Sequence, residues 1–167
     1  MQFELKPITH GSIEKSLGKA HRYRLLNEPS HTESICRDVL LLEPDNQQAI
    51  NILLLALTDQ FEKRLTQRYK EAMALLPRFE DQYRQVYYNG LIRERRGLAL
   101  YKRGGPGAGY VAYEWLRQAM EYYEEAIPLS EEGNDDAILR WNTCARLIME
   151  NPEIEPEPAH ANPHMLE

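Results

Sequence analysis

The sequence predicts an all-α protein of about seven helices, arranged as three antiparallel helix pairs and a final capping helix. A proline ends two successive apolar helical segments at nearly the same place, and these prolines, Pro44 and Pro77, are 33 residues apart. A small residue, Ala72, precedes the second proline by five positions. Glycine accounts for only 9 of 167 residues. A period of this length is typical of helix-hairpin repeats, and scarce glycine suits continuous helices.

The individual helices follow from apolar periodicity and from residues that start or stop a helix. Ser30 and Glu33 have the spacing of a capping box and predict the start of the second helix. Asp45 or Asn46 is expected to cap the third helix, whose near-continuous leucines predict a central, buried position. The expected helices cover residues 12–26, 30–42, 49–64, 65–76, 81–103, 110–127 and 135–151.

These helices define three regions of the chain. Residues 1–11 are weakly patterned and form an N-terminal extension. Residues 12–151 form a helical repeat domain, in which each hairpin has an apolar face that a neighbouring hairpin covers. Residues 152–167 are acidic and rich in proline, so the sequence predicts a disordered tail.

Charge and cysteine content exclude several functional classes. The formal net charge is −6, and five glutamates from residue 150 onward account for most of it, leaving the body near neutral. We therefore expect no attraction to nucleic acid. The N-terminal residues lack the apolar stretch of a signal peptide, and no apolar run is long enough to cross a membrane. Cys36 and Cys144 fall in apolar helical patterns, which predicts buried thiols and a cytoplasmic protein.

No pattern of residues predicts an enzyme, a metal site or a cofactor. The glutamates at 121, 124 and 125 would need histidines three residues later to resemble a di-metal helix site, and none of them has one. The glycine loop at residues 104–109 would need a preceding strand and a Gly-Lys-Ser/Thr ending to bind phosphate. We therefore expect a flexible connection between helices there.

The predicted fifth helix carries the strongest signals for binding a partner. Eight of the ten tyrosines lie between residues 83 and 123, and residues 84–103 of the helix hold six basic residues against one acid. A core role for the tyrosines and a solvated, acid-paired role for the arginines are the plain alternatives. A positive groove wall formed by Arg84, Tyr88 and Arg95 is the functional one, and RNA binding is a third option. The groove could hold an acidic peptide, with the chain's own tail as one candidate.

Several segments resemble the tetratricopeptide-repeat family. Residues 122–141 match a second helix running into the next repeat, with Ala126 at the small position, and residues 87–97 resemble a first helix. The resemblance covers roughly residues 12–150. The chain departs from the family pattern at Val39, which replaces a small residue, at Pro128, and in a third hairpin that is longer than one repeat. The chain therefore resembles a degenerate tetratricopeptide-repeat protein.

The resemblance implies a right-handed stack whose first helices line a concave groove for a peptide or helix of a partner protein. Some family members clamp a terminal carboxylate in that groove, and Asn51 is the candidate here. A non-catalytic protein-interaction module is therefore expected. The alternatives are a dedicated chaperone, similar in architecture to the small helical-repeat chaperones of type III secretion, and a regulatory or degenerate enzyme domain. A homodimer is a further possible arrangement.

Overall fold

A computed structural model describes residues 3–158 of the chain. Over this range the protein has seven α-helices and no strand, which confirms the predicted all-α class. The helices are α1 (Ile13–Leu25), α2 (Pro29–Leu42), α3 (Gln47–Thr58), α4 (Phe61–Leu75), α5 (Gln82–Arg103), α6 (Ala108–Ala126) and α7 (Asp136–Glu150). Short 3₁₀ turns follow α4 and α6, and each contains the proline that ends the helix.

Side-chain caps fix the starts of two central helices. Asn46 caps α3, as predicted, because its side-chain oxygen accepts a hydrogen bond from the backbone N–H of Ala49 at 2.9 Å. Asp81 does the same for α5 through the N–H of Arg84 at 2.8 Å. Each bond satisfies a backbone donor that has no partner within the helix.

The predicted capping box at the start of α2 is wrong. This helix begins one residue earlier, at Pro29, and Glu28 precedes it without a side-chain cap. Proline suits the first turn because its missing N–H would have no helical partner there, and its ring already fixes a helical φ. Glu33 instead turns inward, where its carboxylate accepts hydrogen bonds from Arg68 and Gln60.

The boundary between α3 and α4 also differs from the prediction. We expected α3 to continue to residue 64, but it ends at Thr58, and α4 begins at Phe61 with an irregular turn at Arg64. The Gln60 amide donates to the Ala56 carbonyl at 3.1 Å and so satisfies a backbone acceptor at the end of α3. Apolar residues stay buried on both sides of the break, which hides it from a search for periodicity.

Each helix packs against the next helix along the chain, and alternate helices also meet. Contacts join α1 to α3, α3 to α5 and α5 to α7. Eight of the twelve residues of α3 are buried, which confirms its predicted central position. The helix α5 is shared by two apolar clusters. Leu91 and Ile92 lie in the first cluster with α1–α4, and Val86 and Leu98 pack on the second with α6 and α7.

The packed part of the chain extends past the predicted boundary at residue 151. Ile154 is only 2% exposed and belongs to the second apolar cluster. Its neighbour Glu153 places its backbone carbonyl where a Cβ on Gly109 would stand, so a glycine is needed at this contact. The remaining residues of the predicted disordered tail, 159–167, lie outside the described residues.

The two cysteines are free and buried, as predicted. Burial raises the pKa of the Cys36 thiol to about 12 and raises that of Cys144 further. Both groups are therefore protonated at neutral pH and lack the thiolate that a nucleophilic cysteine requires.

Candidate protein-binding groove

Asp59, at the C-terminal end of α3, joins three alternate helices. Its carboxylate accepts a hydrogen bond from Arg24 Nε of α1 at 2.7 Å and another from the Arg95 guanidinium of α5. Arg95 also donates to the Thr58 hydroxyl at 2.6 Å. Burial lowers the pKa of Arg95 below its ordinary value, and the Asp59 charge opposes that effect. The contacts of Asp59 with Arg24 and Arg95 join the C-terminal ends of α1 and α3 to the second half of α5.

The three predicted residues of α5 lie on the same side of the helix but in different environments. Arg84 is exposed and pairs with Asp81 at 3.5 Å. Tyr88 stacks on Phe79 with ring centroids 5.1 Å apart and packs on the core, and burial raises its pKa to about 12. Arg95 is about 18% exposed and is neutralised by Asp59. The structure therefore does not bring these three side chains to one open surface, since about 16 Å of helix separates residues 84 and 95.

Asn51, the predicted clamp residue, lies on the less buried side of α3. Its side-chain oxygen is buried and has no hydrogen-bond partner among residues 3–158. A buried polar atom without a partner loses its hydration and gains nothing in return. This oxygen is an acceptor and is buried, so it does not serve a carboxylate clamp, and Asn51 does not line the groove described next.

A groove of about 520 Å³ opens beside Arg95. Its walls come from the end of α3, the start of α4, the second half of α5, the end of α7 and the segment after it. The lining residues are Asn27, Thr58, Asp59, Phe61, Glu62, Arg95, Leu98, Ala99, Tyr101, Lys102, Leu147, Asn151 and Ile154. One rim is charged, since Lys102 and Glu62 form an exposed ion pair at 2.6 Å, and the opposite wall is apolar. A volume of this size suits a few side chains of a bound peptide.

The chain's own C-terminal segment forms one end of this groove. Ile154 inserts its side chain beside Leu147, and the Glu153 carboxylate accepts a hydrogen bond from the Tyr101 hydroxyl. That hydrogen bond raises the pKa of Tyr101. The apolar side chain of Ile154 thus already docks beside α5, next to the Glu153 carboxylate. That carboxylate contacts Tyr101 and neither Arg84 nor Arg95.

Sequence reasoning missed Asp59 and the aromatic contacts of Arg93 and Arg96. The predicted third helix, residues 49–64, places Asp59 in its interior. Nothing in that position predicts a contact with two arginines of other helices. The polar residues at 58–60 within an otherwise apolar run were the available signal. Arg93 and Arg96 are among the six basic residues that the sequence places on the fifth helix. Their aromatic partners belong to α4 and α6, and the spacing of residues along α5 cannot identify them.

A second polar cluster surrounds the buried acid Glu94 and does not line the groove. Glu94 is 2% exposed and accepts hydrogen bonds from the Tyr123 hydroxyl at 2.6 Å and from Arg140 at 3.0 Å. The cluster joins α5, α6 and α7. We interpret it as a structural network, because a buried acid of this kind is stable only when its oxygens are paired.

Three further findings bear on functional class. Among residues 3–158, no group of three or more potential ligand side chains could hold a metal ion. Over the same range, none of the helices combines the length and apolar character needed to cross a membrane. Comparison with protein-family models, with curated proteins and with solved structures finds no match to this chain.

Proposed function

We propose that the protein is a non-catalytic interaction module that binds a short peptide segment of a partner protein in the groove beside Arg95. The observation that carries the proposal is the docking of Ile154, which is 2% exposed and belongs to the apolar cluster of α6 and α7, on which Leu98 of α5 also packs. A turn of this chain is therefore held there by one apolar side chain and a neighbouring carboxylate. A partner segment of the same chemistry would use the open remainder of the groove.

The lining of the groove supports binding of an apolar anchor with an acidic neighbour. Leu98, Ala99 and Leu147 supply apolar area, while Lys102 is about 65% exposed and can reorient toward a partner carboxylate. The Arg95–Asp59 pair would supply polar contacts at the rim. In this proposal Arg95 positions the groove wall, and the exposed Arg84 contacts residues of the partner that extend beyond the groove.

The proposal is tested with peptides selected against the full chain from a displayed random-peptide library. The affinity of the best peptide is then compared between the unaltered protein and Leu98→Lys, which places a charge in the apolar wall. We expect at least about a ten-fold loss, because anchor pockets carry most of the binding energy. The matched control is Leu139→Lys, an exposed leucine of α7 that does not line the groove.

Two outcomes would contradict the proposal. One is a failure to recover any peptide that binds saturably. The other is equal loss of affinity in Leu98→Lys and Leu139→Lys, which would locate the binding elsewhere. Circular dichroism of both variants establishes that each remains helical before affinities are compared.

A further inference from the structure

A different face of α5, packed between α4 and α6, carries arginines that no acid neutralises. Arg93 and Arg96 have no carboxylate oxygen within 4.0 Å among residues 3–158. Three of the other four basic side chains of the same helix, Arg84, Arg95 and Lys102, are each paired with an acid in that range, and the fourth, Arg103, is exposed in the last turn. The near-neutral body of the protein thus leaves two adjacent positive charges uncompensated here.

Aromatic rings hold these two arginines in place. The Arg96 guanidinium carbon lies 4.0 Å from the ring centroid of Tyr69 and 4.4 Å from that of Trp115. The Arg93 guanidinium carbon lies 4.7 Å from the Tyr122 ring and 5.8 Å from Trp115. Stacking of this kind orders a guanidinium while leaving its in-plane N–H groups free to donate.

The hydrogen-bonding capacity of this face is largely unused. Arg93 donates one hydrogen bond, to the Tyr122 hydroxyl at 3.3 Å. The Nε atoms of Arg93 and Arg96 and the side-chain oxygen of Asn89 are all buried without a partner in the described part of the chain, so only the terminal N–H groups of the two guanidiniums could meet an incoming carboxylate. Residues 89, 93 and 96 follow one another at four- and three-residue steps, so they form a single stripe on α5. Apolar residues at these positions would avoid the free-energy cost of burying polar atoms without partners. Packing between helices alone therefore does not account for Asn89, Arg93 and Arg96.

We infer that the stripe of Asn89, Arg93 and Arg96, with the rings of Tyr69, Trp115 and Tyr122, is a docking surface for an acidic segment of a partner protein. Charge complementarity identifies the occupant. A planar guanidinium edge matches a carboxylate with two parallel hydrogen bonds. The two arginines are about 4.5 Å apart along the helix axis, which suits carboxylates on neighbouring or alternate residues of one segment. The overall charge of −6 disfavours nucleic acid, which carries a long run of charges.

This surface is separate from the groove beside Arg95, because none of its residues lines that groove. The two proposals can therefore fail independently. Leu98→Lys should leave binding to the stripe unchanged, and variants of the stripe should leave peptide binding in the groove unchanged.

The test uses Trp115 as the reporter in a full-length Trp141→Phe background, since the chain has two tryptophans. The probe is an oligoglutamate peptide of about eight residues, with an oligoglutamine peptide of equal length as its uncharged match. We expect a saturable change of Trp115 fluorescence with the oligoglutamate and none with the oligoglutamine. Raising the ionic strength to about 0.5 M should weaken the binding, since exposed charges are screened.

The variant Arg93→Gln/Arg96→Gln should bind the oligoglutamate at least about ten-fold more weakly, because it removes both charge-assisted donors. The control is Arg22→Gln, an exposed arginine of α1, which should bind as the unaltered protein does. A second variant, Asn89→Asp, covers the case in which the double variant fails to fold. It places a carboxylate beside Arg93 and should raise the melting temperature while weakening peptide binding.

The inference is overturned if the oligoglutamate gives no saturable change. It is also overturned if the folded double arginine variant, or Asn89→Asp where the double variant does not fold, binds as tightly as the control, since the arginines would then only hold the helices together. Tighter binding of a single-stranded oligonucleotide or a phosphopeptide than of the oligoglutamate would assign the surface to another class of partner and reject the acidic segment.

Discussion

The hydroxyl of Tyr123 donates a hydrogen bond of 2.6 Å to the Glu94 carboxylate, and both side chains are almost completely buried. Tyr123 lies on α6 and Glu94 on α5, and Arg140 of α7 donates to the other carboxylate oxygen at 3.0 Å. Burial and the neighbouring Glu94 charge hold the pKa of Tyr123 well above its ordinary value. A single acid therefore orders the three C-terminal helices around it.

Replacing Tyr123 with phenylalanine should lower the free energy of unfolding by about 1–3 kcal/mol, because it leaves a buried carboxylate oxygen without its donor. Urea denaturation followed by circular dichroism measures the loss. Tyr113→Phe is the matched control, since that ring of α6 is half-buried and lies outside the Glu94 network. Equal stability of the two variants would show that the Glu94 network does not hold α6 against α5.

The three leucines that face the centre of the protein from α3 should be among the most sensitive core positions. Leu53, Leu54 and Leu57 are 3%, 0% and 1% exposed. Truncating any one of them to alanine removes buried area and leaves a cavity, which should cost about 2–5 kcal/mol. Leu41→Ala, at a position 69% exposed, is the control. Losses below about 1 kcal/mol at all three positions would contradict a central α3.

Acid should weaken the contact between α2 and α4 through Glu71. Burial alone raises the pKa of this carboxyl, but hydrogen bonds from Gln67 and Arg68 and the charges of Arg68 and Arg37 hold it below its ordinary value of 4.5. A lowered pKa in the folded state contributes stability above the unfolded-state value, and this contribution is lost as the pH falls through the folded-state value.

In Glu71→Gln, the unfolding free energy should therefore fall less steeply than in the unaltered protein as the pH drops below 4.5. Chemical denaturation at a series of acidic pH values measures this slope. Glu131→Gln, an exposed acid in the loop before α7, serves as the control. An equal change in the pH dependence of the unfolding free energy in both variants would show that Glu71 is not the source of the acid sensitivity.

The close approach of Gly109 to the Glu153 carbonyl predicts that a single methyl group will release the C-terminal segment. A Cβ at position 109 would overlap backbone atoms of Glu153, which cannot move aside as a flexible side chain can. Gly109→Ala should therefore expose Ile154 and increase amide hydrogen exchange over residues 152–158. Gly11→Ala, where a Cβ meets no atom within 4 Å, should leave that exchange unchanged. Unchanged protection in Gly109→Ala would show that the segment docks by another route.

The periodic and capping signals were sufficient for the fold class and for the central position of α3. Asn46 could be recognised as a cap because the bond it makes lies within four residues of sequence. The end of α3 could not be predicted, since it depends on side chains of α1 and α5 that meet at Asp59. The same limit applied to Arg95 and Tyr88. Helical spacing placed them correctly on one side of α5, but spacing along one helix does not show which neighbouring helix covers them.

The division of α5 between two apolar clusters has a consequence for fragments of the chain. Leu91 and Ile92 belong to the cluster built with α1–α4, while Val86 and Leu98 are covered by α6 and α7. Proteolysis or truncation in the glycine loop at residues 104–109 would leave α5 packed on α1–α4. The side of α5 that α6 and α7 cover would then be exposed to solvent. Such a fragment would present an apolar stripe along a 22-residue helix. It would recruit a second copy or precipitate, so expression of the N-terminal part alone requires polar replacements along that stripe.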